Sequence, residues 1–366
     1  MPRPPWIVWA LTDGKPGHQS QTAGLINAIE KHTPSDVFWI QCSLNYRWVR
    51  PLLRFVGPRL SRAKQKFLLR FFYAIDDLPS SQPDVILSSG GNTAVAQICL
   101  AQMTGAKSVY SGTLKRSLRR FIDLIITVSP LSGVSPAKNN LVLSLPPAPV
   151  SDYVSESSAP ATTRSVNVAR ESLNVPKIGV VLVGGDGAGM IYKKADWHRL
   201  VDSMVNFFPH DVEWLITTSR RTGKNAESAL QARLDQTPTL RIRQSIWWMQ
   251  KPERAMSRFL AEGDFFISTK DSLSMVAEAI YTNKPVFIFT PSNGADQNMT
   301  DNDKAAYKAY EDSSYIFPLD IRSSSVQVED GRQLLVEIQM LIFAAISKIV
   351  GGKTLASKSG LAPPPS

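Results

Sequence analysis

Ile267-Ser268-Thr269-Lys270-Asp271-Ser272-Leu273-Ser274-Met275-Val276-Ala277-Glu278-Ala279-Ile280-Tyr281-Thr282-Asn283-Lys284-Pro285-Val286-Phe287-Ile288-Phe289-Thr290 alternates strand, polar turn, helix, turn and strand. The apolar run Asp264–Ile267 that leads into it is too short for a helix and suits a buried parallel strand. Asp271 stands where a helix N-cap belongs. Asp271, Ser274 and Glu278 recur at i, i+3 and i+7, which puts them on one helical face. Val286-Phe287-Ile288-Phe289 is the next strand. A polar turn that leaves a parallel strand and opens a helix is where open α/β sheets bind ligands. The helix N-terminus suits a phosphate, and Glu278, deeper along the helix, suits a sugar hydroxyl.

The same rhythm extends in both directions. Strands are predicted at Ile178–Val183, Val212–Thr217, Phe265–Ser268, Val286–Ile288 and Tyr315–Phe317. Helices are predicted at Asp196–Phe208, Ala226–Thr237, Pro252–Glu262, Ser272–Tyr281 and Asn302–Ala309. Upstream, strands at Trp6–Leu11, Val37–Ile40, Val85–Ser88, Ser108–Tyr110 and Leu124–Thr127 alternate with helices at Gln19–His32 and Thr93–Met103 and in the basic stretch before Asp76. A last strand at Asn139–Val150 enters Pro146-Pro147-Ala148-Pro149. This order implies parallel sheets with helices on both faces. The organisation is then a first domain at 1–150, a Ser/Ala/Thr/Pro linker at 151–175, a second domain at 176–322, a closing helix within 323–350 and a disordered tail at 351–366. Two Rossmann-like parallel-sheet domains facing a cleft describe a glycosyltransferase-B-like α/β fold, with other two-domain α/β folds left open.

A chain of 366 residues is long enough for two cores. Its 41 Lys and Arg against 31 Asp and Glu give a net charge of +10, which implies an anionic partner. The two cysteines, Cys42 and Cys99, have no metal-type spacing and suit reduced thiols in a cytoplasmic protein. The four histidines are scattered, so no metal site and no cofactor are expected. Trp6–Leu11 is too short for a signal peptide or a membrane span. Leu334–Ile349 is interrupted by Glu337, Gln339 and Lys348 and fits an amphipathic helix packed on the body. Any membrane role is then peripheral.

Four turns carry candidate chemistry. Thr12-Asp13-Gly14-Lys15-Pro16-Gly17-His18 leaves the first strand, and its glycines allow backbone to approach a ligand. His18 lies near a helix start, which disfavours imidazolium and leaves a neutral base; Asp13 is the alternative base. Ser89-Gly90-Gly91-Asn92-Thr93 opens another helix and suits an acceptor hydroxyl or phosphate. Gly184-Gly185-Asp186-Gly187-Ala188-Gly189 has glycine freedom without dinucleotide spacing and suits a diphosphate, with Tyr192 and Lys193 close behind. Ser219-Arg220-Arg221 offers hydroxyl and guanidinium donors to phosphate oxygens.

Between Tyr46 and Tyr73 eight Arg and Lys residues interleave with Trp48, Leu52, Phe55, Phe67 and Phe71, and no acid interrupts them. Lys115, Arg116, Arg119 and Arg120 form a second cluster. Basic and aromatic residues so mixed fit a segment on an anionic bilayer. A solvated helix with its apolar side in the core has the same pattern. No nucleic-acid module is legible, and no nucleic-acid partner is expected.

The motifs Asp13–Gln21, Ser89–Thr93, Thr218–Thr222 and Thr269–Ala279 together resemble bacterial relatives of the plant mitochondrial-fission "elongated mitochondria" family, over roughly residues 6–322. That resemblance implies a glycosyltransferase-B fold and glycosyltransferase activity, with some members tied to lipooligosaccharide outer core. A looser likeness joins the first loop and the Glu278 helix to the enzyme that adds N-acetylglucosamine to lipid-linked peptidoglycan precursor. There the glycine-rich loop ends in a histidine, matching His18, and a glutamate holds the ribose, matching Glu278. This chain differs in having Lys15-Pro16 in place of small residues.

These features imply a nucleotide-sugar donor held by Gly184, Gly185, Ser219, Arg220, Asp271, Ser272, Ser274 and Glu278. The acceptor, lipid-linked or lipopolysaccharide core, would lie at Gly90, Gly91, Asn92 and Thr93, with His18 or Asp13 as base. The expected place is the cytoplasmic face of the inner membrane. The rival readings are a nucleotide-sugar epimerase or hydrolase, and a membrane adaptor that has lost the chemistry.

Overall fold

A computed structural model describes residues 4–128, 139–149, 164–167, 177–292, 298–320 and 325–356. Val150, most of the expected linker and the last ten residues of the expected tail lie outside them. The chain forms two compact units: Met1–Pro149 together with Val336–Ser366, and Val150–Leu335.

Among the described residues the first unit holds a seven-stranded sheet. Its strands are β1 (Trp6–Thr12), β2 (Ser35–Leu44), β3 (Tyr73–Ile75), β4 (Val85–Ser89), β5 (Lys107–Ser111), β6 (Leu124–Thr127) and β7 (Asn140–Val142). They lie in the order β3-β2-β1-β4-β5-β6-β7. All pairs are parallel except β2 with β3. The long last strand expected from Asn139 is only β7.

Helix α1 (Pro16–Glu30) starts with Pro in its first turn, where the missing N–H costs nothing. Two helices follow in the basic segment, α2 (Arg50–Val56) and α3 (Arg62–Phe72). Helix α4 (Ala94–Thr104) has every residue from Ala94 to Ala101 buried, which is why it lacks an amphipathic pattern. A fourth-turn glycine, Gly105, takes the left-handed conformation that ends it (φ 74°). Gln97 inside α4 donates to Ile86 O and Val109 O, both at 2.7 Å, and so ties β4 to β5. The short α5 (Arg116–Arg119) completes the layer. Cys42 and Cys99 are buried, and burial pushes both thiols up to about 12, so neither is reactive near neutral pH.

In α2 and α3, Leu53, Leu68 and Leu69 face the core. The other side leaves Phe67 69% exposed, with Leu52, Phe55 and Phe71 also in solvent, and Trp48, just before α2, is 79% exposed. An apolar groove of about 470 Å³ runs along them, lined by Leu52, Val56, Leu60, Phe67, Leu68 and Phe72. One face of this segment is core and the other leaves apolar side chains exposed.

The second unit contains β8 (Arg164–Asn167), β9 (Ile178–Leu182), β10 (Glu213–Thr217), β11 (Arg241–Ile246), β12 (Phe265–Thr269), β13 (Val286–Phe289), β14 (Phe317–Pro318) and β15 (Ser325–Val328). Six of them form a parallel sheet in the order β11-β10-β9-β12-β13-β14. Its helices are α6 (Lys194–Phe207), α7 (Gly223–Asp235), α8 (Met256–Glu262), α9 (Leu273–Ile280) and α10 (Asp301–Asp312). Phe208, Trp214, Phe265 and Phe287 pack edge-on and stacked at 4.8–5.6 Å between neighbouring rings. Gly179 makes room for them, since a Cβ there would come within 2.6 Å of Trp214. Strand β8 pairs antiparallel with β15, so the stretch read as structureless linker contains a strand.

The closing helix, α11 (Gly331–Ala356), starts after β15 and continues past the expected end at 350. By length and composition, Gly331–Gly351 is apolar enough to cross a membrane. Yet Ile338, Ile342, Ile346 and Val350, spaced by four, are buried along one face. Phe343 stacks on Trp6 and His32, and Lys31 donates to the buried Gln339 at 3.1 Å. These contacts make α11 from Val336 onward an integral part of the first unit.

Each sheet reverses its strand order once, between β1 and β4 and between β9 and β12. Those gaps, at the carboxyl ends of the strands, are where ligands bind in open α/β sheets.

Gly24 of α1 faces the backbone of Pro147 and Ala148, and a Cβ would lie 2.3 Å from Ala148 N. Gly24→Ala should therefore overpack the unit and cost about 1–3 kcal/mol. Calorimetry should show a fall in Tm of roughly 2–4 °C per kcal/mol.

Candidate functional site

In the first unit the loop after β1 and the turn after β4 flank the order reversal. Asp13 is enclosed there, its side chain 1% exposed. Its Oδ1 lies 2.9 Å from His18 Nδ1, and its Oδ2 accepts Asn92 Nδ2 at 2.9 Å. Lys15 adds its ammonium at 3.2 Å and its backbone N–H at 3.3 Å. Burial opposes the charge on Asp13, but His18 and Lys15 outweigh it and hold the carboxyl below the usual carboxylate range. An ionised carboxylate can only accept, so the proton of this bond is on His18 Nδ1.

Two further residues fix this pair. Gly90 (φ 88°) is the one residue type that fits beside the imidazole, since a Cβ there would sit 2.0 Å from His18 Nδ1. Asn92 donates to Asp13 and accepts from Arg50, linking α2 to the dyad. Gln21 of α1 accepts from Ser89 and Ser111 at 2.9 and 3.0 Å and seats α1 on β4 and β5.

In the second unit three turns meet at the β9/β12 reversal. Asp271 does not cap a helix; α9 begins at Leu273, and Ser272 holds the N-cap position without a side-chain cap bond. The Asp271 side chain turns instead over the glycine loop. It meets Arg221 Nη2 at 2.5 Å, accepts Thr269 Oγ1 at 2.6 Å and takes the Gly185 backbone N–H. A Cβ on Gly184 would come within 2.2 Å of its Oδ2, so glycine is required there. Burial raises the Asp271 carboxyl to about 6, and Arg221 only partly counters it. The carboxylate thus takes the donors that an anionic ligand on this loop would use.

Most of the residues singled out by sequence converge on these two places, with corrections. Arg220 is exposed, and the neighbouring Arg221 makes the central ion pair. Ser219 donates to Gly184 O and accepts Arg221 N at 3.1 Å, so it holds the loops together. Thr93 spends its hydroxyl on Ser89 O and Gly90 O at 3.1 and 2.9 Å and serves the turn. Tyr192 is buried, stacks on Trp197 at 4.8 Å and accepts Lys270 N at 3.0 Å; it is a structural pin. Asp271, outside α9, shares no helical face with Ser274 and Glu278. Ser272 and Ser274 approach each other at 3.4 Å, and Glu278 is buried on α9. A cavity of about 680 Å³ lies beside the loop, lined by Asp186, Tyr192, Lys194, Trp197, Arg221 and Lys224 among others. Sequence reading had Arg50 in the basic segment and Gln21 in the first motif, but not the contacts by which Arg50, Asn92 and Gln21 build the site.

A model of the family described as mitochondrial fission ELM1 matches residues 16–308. No curated protein sequence matches the chain significantly. Among solved structures, a candidate UDP-N-acetylglucosamine 2-epimerase of Listeria monocytogenes is similar with a TM-score of 0.52 and 10% identity, over 99% of each chain. The MnaA–UDP structure from S. aureus gives 0.48 and 12%, over 99% of each chain. MurG of Acinetobacter baumannii gives 0.44 and 13%, covering 96% of this chain and all of its own. At such identities the likeness concerns the fold, two Rossmann-like parallel-sheet domains.

Asp271 binds its proton more tightly folded than unfolded, where its value is near 3.9. Its contribution is therefore full below pH 4 and is lost as pH rises through about 6. Against Asp271→Asn, the wild type should lose stability across that window, on the order of 2–3 kcal/mol. Urea titrations at pH 4 and pH 7 would read this; parallel curves for the two proteins would show an ordinary carboxyl.

Proposed function

The chain belongs to the mitochondrial fission ELM1 family, and we propose that this member is a glycosyltransferase. It transfers a sugar from a nucleotide-sugar to a lipid-linked or lipopolysaccharide-core acceptor on the cytoplasmic face of the inner membrane. The observation that carries the reading is the buried Asp13 oriented on His18 at a ligand-facing sheet end.

In this reading His18 Nε2 takes the proton of the acceptor hydroxyl, and Asp13 keeps the ring in that tautomer and steadies the imidazolium that forms. Asp13 is the orienting group and His18 the base. The hydroxyl oxygen attacks the anomeric carbon as the bond to the nucleoside diphosphate breaks. The leaving charge meets Arg221. Donor phosphates compete with Asp271 for Arg221. Glu278 accepts from a sugar hydroxyl of the donor. The uncovered aromatics of α2 and α3, among arginines and lysines, lie on the anionic bilayer that carries the acceptor.

His18→Ala should lower turnover by roughly 10²–10⁴-fold while leaving donor affinity nearly unchanged. The assay follows sugar transfer from UDP-, GDP-, CMP- and dTDP-sugars to membrane extracts. Full turnover in the variant would remove His18 from the chemistry. Nucleotide release at the same rate without acceptor would favour an epimerase or hydrolase.

Glu278→Ala should weaken nucleotide-sugar binding about tenfold, the loss of one hydrogen bond to a charged group. Thermal stabilisation by the nucleotide-sugar reads it, because a ligand that binds only the folded state raises apparent stability. Equal shifts in both proteins would move the donor site. No shift with any nucleotide, alongside liposome binding untouched by either substitution, would favour an adaptor.

A further inference from the structure

Arg50 and Arg54 lie one turn apart on the same face of α2. The run from 47 to 72 holds no acidic residue, and neither arginine has an ion-pair partner among the described residues. Arg50 donates to Asn92 Oδ1. Arg54 stands over Gly91, where a Cβ would come 3.1 Å from its Nη2. Both Nε atoms are buried without an acceptor. Two guanidiniums this close repel each other, and burial adds to that cost. Burial first, then Arg50, lowers the Arg54 pKa from its ordinary value. Like charges brought together with donors unspent describe a site made for an anion.

We propose that Arg50 and Arg54, over the Gly90–Gly91 turn, bind a phosphoryl group. Its oxygens accept from the two guanidiniums, and its negative charge neutralises the pair. Asn92 joins Arg50 directly to Asp13, so the phosphoryl lies beside the His18 base. Taking it as part of the acceptor rests on the glycosyltransferase reading; the anion site itself does not. The acceptor is then a phosphorylated one, with its reactive hydroxyl close to its phosphate.

Calorimetric titration of the full chain with inorganic diphosphate tests this. Arg54→Gln and Arg50→Gln should each weaken binding tenfold or more, and Arg54→Lys, which keeps the charge and most of the packing, should weaken it less. Arg221→Gln controls for the second-unit loop. Diphosphate affinity unchanged in Arg54→Gln and Arg50→Gln, or lost only in Arg221→Gln, would overturn the site. Farnesyl diphosphate binding more tightly than inorganic diphosphate would assign the group to a lipid. Glucose 1-phosphate binding more tightly than inorganic phosphate would assign it to a phosphorylated sugar. Arginine-dependent diphosphate binding without any nucleotide-sugar binding would keep the site and reject the glycosyltransferase reading. Sugar transfer with diphosphate affinity insensitive to both arginines would do the reverse.

Discussion

Parallel strands must be joined by crossovers, nearly always right-handed, and that constraint shapes both sheets. Each sheet winds outward from a central strand, β1 or β9, first to one side and then to the other. The reversal leaves one gap per sheet in which loops from adjacent strands diverge without a helix closing over them. Asp13 and Asn92 border the first gap, and Gly184 and Asp271 the second. The positions of the charged groups follow from the winding, before any particular side chain is considered.

The two buried aspartates show how the same residue acquires opposite tendencies. Asp13 is surrounded by several donors, the Lys15 ammonium among them, and its charge is retained. Asp271 has one cation and deeper burial, and its charge is disfavoured. Desolvation in a protein interior is worth several kcal/mol per ion, so the number of compensating donors decides the sign. A further donor on Asp271 would favour its charged form and strengthen the ion pair with Arg221.

Much of this organisation was legible in the sequence. Strands buried on both faces are continuous apolar runs, so β1, β6, β9, β12 and β13 stand out, and the turns that follow them are marked by Gly, Asp and Ser. Edge strands escaped notice because they carry little apolar signal: β11 is Arg-Ile-Arg-Gln-Ser-Ile with its first four residues exposed. Side-chain direction within a turn also escaped. Arg220 and Arg221 are equivalent as letters, and only the backbone decides which one reaches Asp271. The cap expected from Asp271 failed because the Gly185 amide and Arg221, both far upstream in the chain, hold its carboxylate. Arg50 and Arg54 sat in a run that resembles any basic helix, and their meaning comes from a turn on another strand.

The grouping of α11 with the first unit makes that unit discontinuous along the chain. On the ribosome Trp6 and His32 emerge early, while Phe343, which covers them, comes near the end. At about 5–20 residues per second, the interval is on the order of ten seconds or more. All of Val150–Leu335 is made in between. The nascent first unit must therefore wait with an apolar strip bare, the kind of surface that chaperones hold. Completion of the unit that holds the Asp13–His18 pair is timed by synthesis of the other one.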